Sequence, residues 1–179
     1  MGGRASEAAA GHGTNITMSR IDLARDEDVT AIAAIERRVF SDPWSERAFR
    51  DVLAHPAMYF ACVREQTADG YTAECVRGYV VAWFAGGQGE IANLAVEESA
   101  RGRGLGSALL DAALDEARGH GTEEVFLEVR SSNVRARELY ASRGFTEVGR
   151  RRRYYRRPVE DAIILRWTEP AIVNPVSDR

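Results

Sequence analysis

Three glycines and two arginines alternate in the short stretch Arg101–Gly106. The apolar run before it, Glu90–Val96, has the length of a buried strand, and the segment after it, Ser107–Arg118, has apolar residues at helical spacing. A loop of this kind leaves the first N–H groups of the helix without intrahelical partners, at the positive end of the helix dipole. The sequence therefore predicts a binding site for a diphosphate group at Gly102–Ser107.

The spacing of these glycines excludes two common phosphate-binding motifs. A P-loop has a lysine directly after its last glycine, whereas Ser107 follows Gly106 here. A dinucleotide fingerprint that starts at Gly102 would need its third glycine at position 107. The remaining pattern, Arg101 with Gly104 and Gly106, resembles the acetyl-coenzyme A (acetyl-CoA) loop of the GCN5-related N-acetyltransferase (GNAT) family. The resemblance implies acetyl-CoA as a cosubstrate.

Hydrophobic periodicity places this loop in a chain of strands and helices in the order β-α-α-β-β-β-α-β-α-β-β. The order predicts an α/β fold with a mixed central sheet of about seven strands, flanked by about four helices, which is the GNAT fold. The strands before and after the loop and its helix should lie parallel, with the loop at their carboxyl ends. The predicted strands are 19–24, 58–64, 74–84, 90–96, 123–129, 145–155 and 161–167, and the predicted helices are 29–40, 47–54, 107–118 and 133–142.

Five further motifs occur in order along the chain: Phe40–Glu46, Leu127–Asn133, Leu139–Phe145, Arg152–Tyr155 and Glu160–Ala162. In combination they resemble the bacterial RimI family of GNAT enzymes, which acetylates the N-terminal alanine of a small-subunit ribosomal protein. The resemblance covers about residues 19–166 and implies acetyl transfer to a protein α-amine. The implied partner is a protein N-terminus, such as that of a small-subunit ribosomal protein.

Acetyl transfer from a thioester to an amine needs a base for the amine, stabilisation of the oxyanion and a proton for the departing thiolate. Glu90 and Glu128 interrupt the two apolar strands that flank the predicted site, so both are candidate bases. The RimI resemblance implies Glu128 as the general base, and Glu90 is the alternative base or a ligand for a charged amine. A tyrosine phenol can protonate a thiolate, and the resemblance implies that role for Tyr140. Packing beside Leu139 and Phe145 is the alternative for Tyr140.

The other predicted contacts belong to the cosubstrate or to the acceptor. Main-chain groups of Leu94–Val96 would pair with the peptide-like pantetheine arm, and the arginines of the loop would add charge-assisted bonds to phosphate. Asn133 can cap the helix that follows it, and the family suggests that it also contacts coenzyme A. The predicted cosubstrate-binding residues are Leu94, Ala95, Val96, Arg101, Gly102, Arg103, Gly104, Leu105, Gly106, Ser107 and Asn133, and the predicted acceptor-binding residues are Trp44, Glu90, Tyr154 and Tyr155.

Six arginines crowd the last predicted hairpin, four at Arg150–Arg153 and two at Arg156 and Arg157. This run departs from the RimI pattern, because the acceptor of that family has a basic N-terminal region that the run would repel. The run could bind an acidic segment, RNA or phosphate, or it could lie outward in solvent. The sequence therefore leaves the acceptor open.

Composition limits the other classes of function. A chain of 179 residues predicts one domain at 18–167, between tails at 1–17 and 168–179. The net charge of −3 gives no overall case for nucleic-acid binding, and no apolar run approaches the ~20 residues of a membrane span. We therefore expect a cytoplasmic enzyme. The oligomeric state stays open, since an exposed final strand could pair two copies.

Two cysteines and three histidines are too few for a disulfide framework or a metal site, so we predict no metal. Cys62 and Cys75 fall in successive strands, where they could be cross-strand neighbours, and we expect two thiols. Both lie far from the loop in sequence, which favours direct attack of the amine over a cysteine relay. The alternative functions are a small-molecule or lysine acetyltransferase of the same fold, a non-catalytic coenzyme A-binding regulator, or an RNA-binding adaptor.

Overall fold

The structure is a computed structural model that describes residues 17–67 and 75–169. In this part of the chain seven strands and four helices follow the predicted order. The predicted tails lie outside the described residues, except for Thr17, Thr168 and Glu169, and the domain limits stay predictions. The elements are β1 Thr17–Leu23, α1 Val29–Val39, α2 Glu46–Ala54, β2 Met58–Thr67, β3 Cys75–Ala85, β4 Gln88–Val96, α3 Leu105–Gly119, β5 Glu124–Arg130, α4 Val134–Ala141, β6 Thr146–Arg156 and β7 Val159–Thr168.

The strands form one mixed sheet with the order β1-β2-β3-β4-β5-β7-β6. Only β4 and β5 pair in parallel among the described strands, and α3 connects them. A helical crossover joins parallel strands because a tight hairpin can only reverse the chain direction. The predicted α/β class, the mixed sheet and the parallel pair on either side of the glycine loop are thus confirmed.

The helices cover the two faces of the sheet and give each face its own core. Apolar side chains of α1 and α2, such as Ile32 and Phe49, pack on one face against Phe60, Tyr79 and Val81. The apolar stripe of α3, which includes Leu109, packs on the other face together with Tyr140 of α4. None of the helices in residues 17–67 and 75–169 is long and apolar enough to cross a bilayer.

Hydrogen bonds fix the start of α1 and the connection between α1 and α2. The Asp28 carboxylate accepts a hydrogen bond from the Arg25 N–H at 2.7 Å, just before α1. The Ser45 hydroxyl accepts one from the Ala48 N–H at 3.2 Å, where α2 begins. At the end of α1 the Phe40 N–H donates to the Glu36 carbonyl oxygen at 2.9 Å, so the loop Phe40–Ser45 is held at both ends.

A β-bulge interrupts β4 and separates it from β5. Val81 of β3 faces Asn93, but the next residue of β3 faces Ile91, so Ala92 is an extra residue in β4. The parallel pairing of β4 with β5 covers 88–91 with 124–127 and extends no further within the described chain. A gap therefore opens between the carboxyl ends of the two strands, which is where ligands of open sheets bind.

The register of β2 and β3 corrects one expectation from the sequence. Cys62 faces Tyr79, and Cys75 faces Glu65, so the two cysteines are not cross-strand neighbours. Neither forms a disulfide within the described residues, and Cys62 is buried whereas Cys75 is exposed. Burial raises the pKa of the Cys62 thiol to about 12, so this thiol is not a nucleophile at neutral pH.

Candidate active site

The glycine loop turns at two residues that have left-handed backbone angles. Gly102 and Gly104 have φ of +82° and +80°, a region that residues with a Cβ rarely adopt. Gly106 lies in the first turn of α3 and needs no such angle. From Gly102 to Ser107, no main-chain N–H donates a hydrogen bond to a residue in the described part of the chain. These free donors at the start of a helix are the groups that the predicted diphosphate site would use.

The loop borders a groove of about 610 Å³, which we call the loop groove. Its walls come from the end of β4, the start of α3 and the outer side of α4. Ten of the predicted cosubstrate residues line it, namely Leu94, Ala95, Val96, Arg101, Gly102, Gly104, Leu105, Gly106, Ser107 and Asn133.

The two arginines of the loop have different positions. Arg101 lines the loop groove and donates from Nε to the Val96 carbonyl oxygen at 3.2 Å. Arg103 lies outside the lining of the groove and forms an ion pair with Glu65 of β2, with 2.6 Å between Nη2 and Oε1. The Glu65 side chain is 5% exposed, so Arg103 neutralises a buried carboxylate. This geometry corrects the expectation that Arg103 faces the diphosphate.

Arg135 is a cation of the groove that the sequence reasoning missed. It lies in the first turn of α4 and lines the loop groove. Its Nη2 is 3.6 Å from the position that a Cβ would take on Gly102. No carboxylate of the described residues forms an ion pair with it. A single arginine in a short polar helix gave no signal in the sequence.

The loop groove has the groups that coenzyme A requires. The free N–H donors and the two cations Arg101 and Arg135 suit phosphates. Past Ile91, β4 pairs with no described residue on its β5 side, so main-chain groups of Leu94–Val96 are available to a peptide-like arm. When bound, acetyl-CoA supplies an activated acyl group as a thioester.

A second cavity, of about 720 Å³, lies in the gap between β4 and β5. We call it the tyrosine cavity, because Tyr140, Tyr154 and Tyr155 line it. It contains all the predicted catalytic and acceptor residues, the others being Trp44, Glu90 and Glu128. The two cavities meet along a common wall formed by Val39, Leu94, Asn133, Ala136 and Leu139.

Glu128 points to the opposite face of the sheet from its neighbours in β5. Leu127 and Val129 are buried in the core beside α3, and side chains alternate along a strand. The Glu128 side chain is 21% exposed, and its Oε1 lies 2.8 Å from Nε of Arg151 on β6. Hydrogen bonding to Glu128 is the largest cause that raises the pKa of Tyr154. Glu128 is therefore a carboxylate with two partners at the cavity surface, rather than a free strand-end carboxylate.

Tyr140 approaches the tyrosine cavity from the α4 side. Its side chain is 7% exposed, and its ring packs on Phe145 with 5.7 Å between the centroids. Burial, with a smaller contribution from Tyr155, raises the pKa of the phenol above its usual value. The hydroxyl makes no hydrogen bond to any residue of 17–67 or 75–169, so it is a protonated phenol with a free donor. Both interpretations of Tyr140 from the sequence, core packing and cavity donor, are compatible with this position.

Glu90, Tyr154 and Tyr155 border the same cavity near Glu128. The charge of Glu90 is among the causes that raise the pKa of Tyr154, which places the two groups near each other. Burial raises the pKa of Tyr155 to about 12, and the Arg130 guanidinium carbon lies 4.0 Å from the centre of its ring. The two tyrosines are therefore neutral at physiological pH and form a wall beside two carboxylates.

Glu36 of α1 is a buried carboxylate of the tyrosine cavity that the sequence reasoning missed. The residue is 1% exposed. Its Oε1 accepts hydrogen bonds from the Trp44 N–H at 2.9 Å and from the Asn93 amide at 3.2 Å, and Tyr79 donates its hydroxyl to Oε2. Burial is the main cause that raises the pKa of Glu36. One carboxylate thus ties α1 to the α1–α2 loop and to the bulge of β4.

The turn between β5 and α4 is fixed by side chains from both ends. Asn133 caps α4, since its Oδ1 accepts from the Ala136 N–H at 3.2 Å, which confirms the predicted cap. Glu160 of β7 accepts from the Ser131 hydroxyl at 3.0 Å and from the Ser132 N–H. The Ser132 N–H is the largest cause that lowers the pKa of Glu160, to about 2. These bonds hold α4, and with it Tyr140, against the sheet.

The arrangement can support a proton transfer on each side of a shared gap. A carboxylate on the β5 side can accept a proton from an amine, and a phenol on the α4 side can donate one to a leaving group. Neither cysteine lines a cavity described above. In the described chain, no three His, Cys, Asp or Glu side chains are grouped so that they could hold a metal ion.

Comparisons with known proteins identify the family. Residues 29–145 match the Acetyltransferase (GNAT) family. The chain is 34% identical over 152 residues to the [ribosomal protein bS18]-alanine N-acetyltransferase of Escherichia coli, an alignment that covers 83% of this chain and 96% of that protein. It is 37% identical over 142 residues to the N-alpha-acetyltransferase RimI of Mycobacterium tuberculosis, with 78% of this chain and 85% of that protein covered.

A solved structure agrees with these matches. The crystal structure of the E. coli ribosomal-protein-S18-alanine N-acetyltransferase superposes with a TM-score of 0.73 at 30% identity, over 84% of this chain and 94% of that chain. The family match covers more than half of the chain, and the fold agrees with the match over nearly the whole described region. The chain therefore belongs to the GNAT family, and it is an N-acetyltransferase that uses acetyl-CoA.

Proposed function

We propose that this chain acetylates the N-terminal α-amine of a protein, with an N-terminal alanine of a ribosomal or other protein as the acceptor. The observation that carries the proposal is the shared wall of the two cavities, because it brings a groove suited to coenzyme A next to Glu128 and Tyr140. The relatives at 34% and 37% identity are named for N-terminal acetylation, one of them for the alanine of bS18. Such an acceptor places the reaction in the cytoplasm, where ribosomal proteins are made.

In the proposed reaction Glu128 acts as the general base. Its carboxylate takes a proton from the acceptor amine, which then attacks the thioester directly. An α-amine has a reference pKa of ~7.7–8.0, against ~10.4 for a lysine side chain, so a carboxylate can deprotonate it more easily. Glu90 on the neighbouring strand lies on the same cavity wall and binds the amine while it is charged.

Tyr140 is the proposed general acid. Because burial raises the pKa of its phenol, Tyr140 is protonated at physiological pH and can give its proton to the departing thiolate. Core packing on Phe145 holds its ring in place. Trp44, Tyr154 and Tyr155 form the walls around the first residue of the acceptor.

The loop groove holds the donor in this proposal. Gly102–Ser107 offers its free N–H groups to the diphosphate, and Arg101 and Arg135 add positive charge. Leu94–Val96 pairs its main chain with the pantetheine arm, which requires Arg101 to leave the Val96 carbonyl. Asn133 contacts the arm from the common wall while it caps α4.

The test is thiol release from acetyl-CoA with short peptides, followed by intact-mass location of the acetyl group. An Ala-starting peptide should be acetylated on its α-amine, and the same peptide with a blocked N-terminus and an internal lysine should not. Polyamines and aminoglycosides serve as small-molecule controls. Acetylation of the lysine or of a small amine in preference to the α-amine would contradict the proposal.

A further inference from the structure

The β6–β7 hairpin carries six exposed arginines that the proposed reaction does not use. Arg150 pairs with Glu147 at 2.7 Å, and Arg151 pairs with Glu128. No carboxylate of residues 17–67 or 75–169 forms an ion pair with the other four, which are Arg152, Arg153, Arg156 and Arg157. The hairpin is therefore a surface of mostly unpaired positive charge.

Two of the unpaired arginines belong to the active-site cavity. Arg156 and Arg157 line the tyrosine cavity beyond Tyr154 and Tyr155. Arg130 faces them from β5 and donates to the Arg157 carbonyl oxygen at 3.3 Å, so the main chain of the hairpin is fixed to the sheet. Arg130 itself is neutralised by Glu160, at 3.3 Å. The side chains of Arg156 and Arg157 are thus the uncompensated cations of this wall.

The negative and the positive side chains of the tyrosine cavity lie on different elements. Glu90 and Glu128 lie on the strands of the gap, where the acceptor amine must react. Arg156 ends β6 and Arg157 follows it in the β6–β7 turn, and both line the same cavity. Asp42 of the α1–α2 loop is the remaining exposed carboxylate of the lining. An extended peptide with its amine at Glu128 would therefore pass next to the two arginines.

We propose that the acceptor carries acidic side chains in the segment directly after its N-terminal residue, and that Arg156 and Arg157 bind them. This inference rests on the proposed function. It names the chemical class of the acceptor, which is an α-ammonium followed by carboxylates. The ammonium would pair with the carboxylates of the cavity, and the acceptor carboxylates would pair with its arginines. A basic segment would meet like charge on the hairpin, and like-charge contacts are a strong source of discrimination between partners.

Arg151 fits the same scheme through exchange of partners. Its side chain is 58% exposed, so its ion pair with Glu128 is weak and breaks easily. When the acceptor ammonium approaches Glu128, it replaces the guanidinium at that carboxylate. An acidic residue of the acceptor can then form an ion pair with Arg151. A neutral or basic acceptor offers Arg151 no such partner.

The position of the arginines favours a peptide over RNA. Arg156 and Arg157 continue the wall of a cavity that also exposes Glu90, Glu128 and Asp42, and these carboxylates would repel a phosphate backbone. A peptide with an amine at one end and carboxylates beyond it can pair with both the carboxylates and the arginines of the cavity. RNA binding is therefore an outcome of the test that would overturn the proposal.

The experiment compares three Ala-starting peptides that are identical except at positions 2–5, which hold glutamates, serines or arginines. We expect kcat/KM to fall in the order acidic, neutral, basic, with about a tenfold difference between acidic and neutral peptides at low salt, as expected for two partly exposed ion pairs. The difference should shrink at 500 mM salt, because exposed charges are screened there.

The variant Arg156→Gln/Arg157→Gln should bring the acidic-to-neutral ratio close to one. The matched control Arg150→Gln/Arg152→Gln removes two charges from the same hairpin outside the cavity lining, and it should keep most of the preference. A ratio of one in the wild-type enzyme, or equal loss in both variants, would overturn the inference while the proposed function stands. No acetylation of any peptide would overturn both. Tighter binding of a 20-nucleotide RNA than of the acidic peptide, lost in Arg156→Gln/Arg157→Gln, would assign these arginines to nucleic acid instead.

Discussion

The loop groove and the tyrosine cavity share a wall, but they are built differently. The loop groove takes most of its lining from one continuous stretch, 94–107, and offers main-chain N–H groups and small side chains. The tyrosine cavity takes its lining from α1, the α1–α2 loop, β4, β5, α4 and the β6–β7 hairpin, and offers charged and aromatic side chains. A donor that is the same in every reaction needs only a local main-chain motif, whereas an acceptor is selected by side chains that the whole fold brings together.

The largest effect is expected in the tyrosine cavity, at the two groups that move protons. Glu128→Gln and Tyr140→Phe should each lower kcat by about 10²–10⁴-fold, because each removes one proton transfer. The affinity for acetyl-CoA, measured by calorimetry, should stay nearly the same, since neither side chain lines the loop groove.

Two substitutions with the same chemistry serve as controls. Glu147→Gln changes an exposed glutamate of β6, and Tyr59→Phe changes a half-buried tyrosine of β2, and neither residue lines a cavity described above. Both controls should keep the wild-type kcat. Full turnover in both Glu128→Gln and Tyr140→Phe would remove the catalytic assignment.

Glu36 tests whether the tyrosine cavity depends on one buried carboxylate. Glu36→Ala leaves the donors of Trp44, Tyr79 and Asn93 without their acceptor. Burial of unsatisfied polar groups should lower the free energy of unfolding by about 2–4 kcal/mol, measured by denaturant titration. The KM for the peptide should rise, while the affinity for acetyl-CoA changes little. A stability loss as small as that of Glu27→Ala, an exposed residue, would show that the cluster is not structural.

Gly104→Ala is the matching test for the loop groove. The substitution places a Cβ in open space, so its effect comes from the left-handed backbone at φ +80°. Such strain costs about 1–2 kcal/mol, which corresponds to a loss of about five- to thirtyfold in acetyl-CoA affinity if the loop shifts its N–H groups. Gly119→Ala, at the end of α3, is the control and should be neutral or slightly stabilising. Unchanged affinity in Gly104→Ala would mean that the loop geometry does not matter for binding.

The buried Glu36 also predicts a pH dependence of stability. Because burial raises its pKa in the folded state above the ordinary value of 4.5, the folded protein binds more protons than the unfolded chain at pH values just above 4.5. The stability that this group contributes is present below that pH and is lost as the pH rises through the raised pKa. The wild-type protein should lose stability relative to Glu36→Gln as the pH rises through this window. A difference in the free energy of unfolding between wild type and Glu36→Gln that stays constant across pH 4–8 would contradict this prediction.

The smallest expected effects distinguish the two loop arginines. Arg101→Ala should weaken acetyl-CoA binding about three- to fivefold, as expected for one exposed charge contact. Arg103→Ala should leave that affinity unchanged and lower the stability by about 1 kcal/mol, because Glu65 loses the nearer of its two arginine partners and keeps only Arg77. The opposite result, with Arg103 controlling affinity, would show that Arg103 leaves Glu65 when the donor binds.

The features that the sequence predicted correctly are local or periodic. The Asn133 cap and the order of the elements depend on residue types within a few positions. The parallel pairing of β4 with β5 follows from the helical crossover between them. Ten residues of the loop groove could therefore be predicted before its geometry was known, whereas most of the lining from α4 could not.

The features that sequence reasoning missed depend on register or on distant partners. The bulge at Ala92 shifts β4 by one residue, and nothing in an apolar run marks such an insertion. Arg151 appeared as one of several solvated arginines, but the bulge region of β6 brings it to Glu128. The available signal for Glu36 in the sequence was an acidic residue within the apolar stripe of α1. The role of this residue becomes clear only from the three groups that donate hydrogen bonds to it.

The gap between β4 and β5 also separates the sheet into two half-sheets. In the described chain the half-sheet β1–β4 and the half-sheet β5–β7–β6 are joined by the short pairing of 88–91 with 124–127 and by the crossover through α3. Acetyl-CoA bound along Leu94–Val96 would contact both half-sheets, so amide hydrogen exchange in β4 and β5 should slow when it binds. Because each catalytic cycle empties that space again, we expect the protection of these amides to fall once in every turnover.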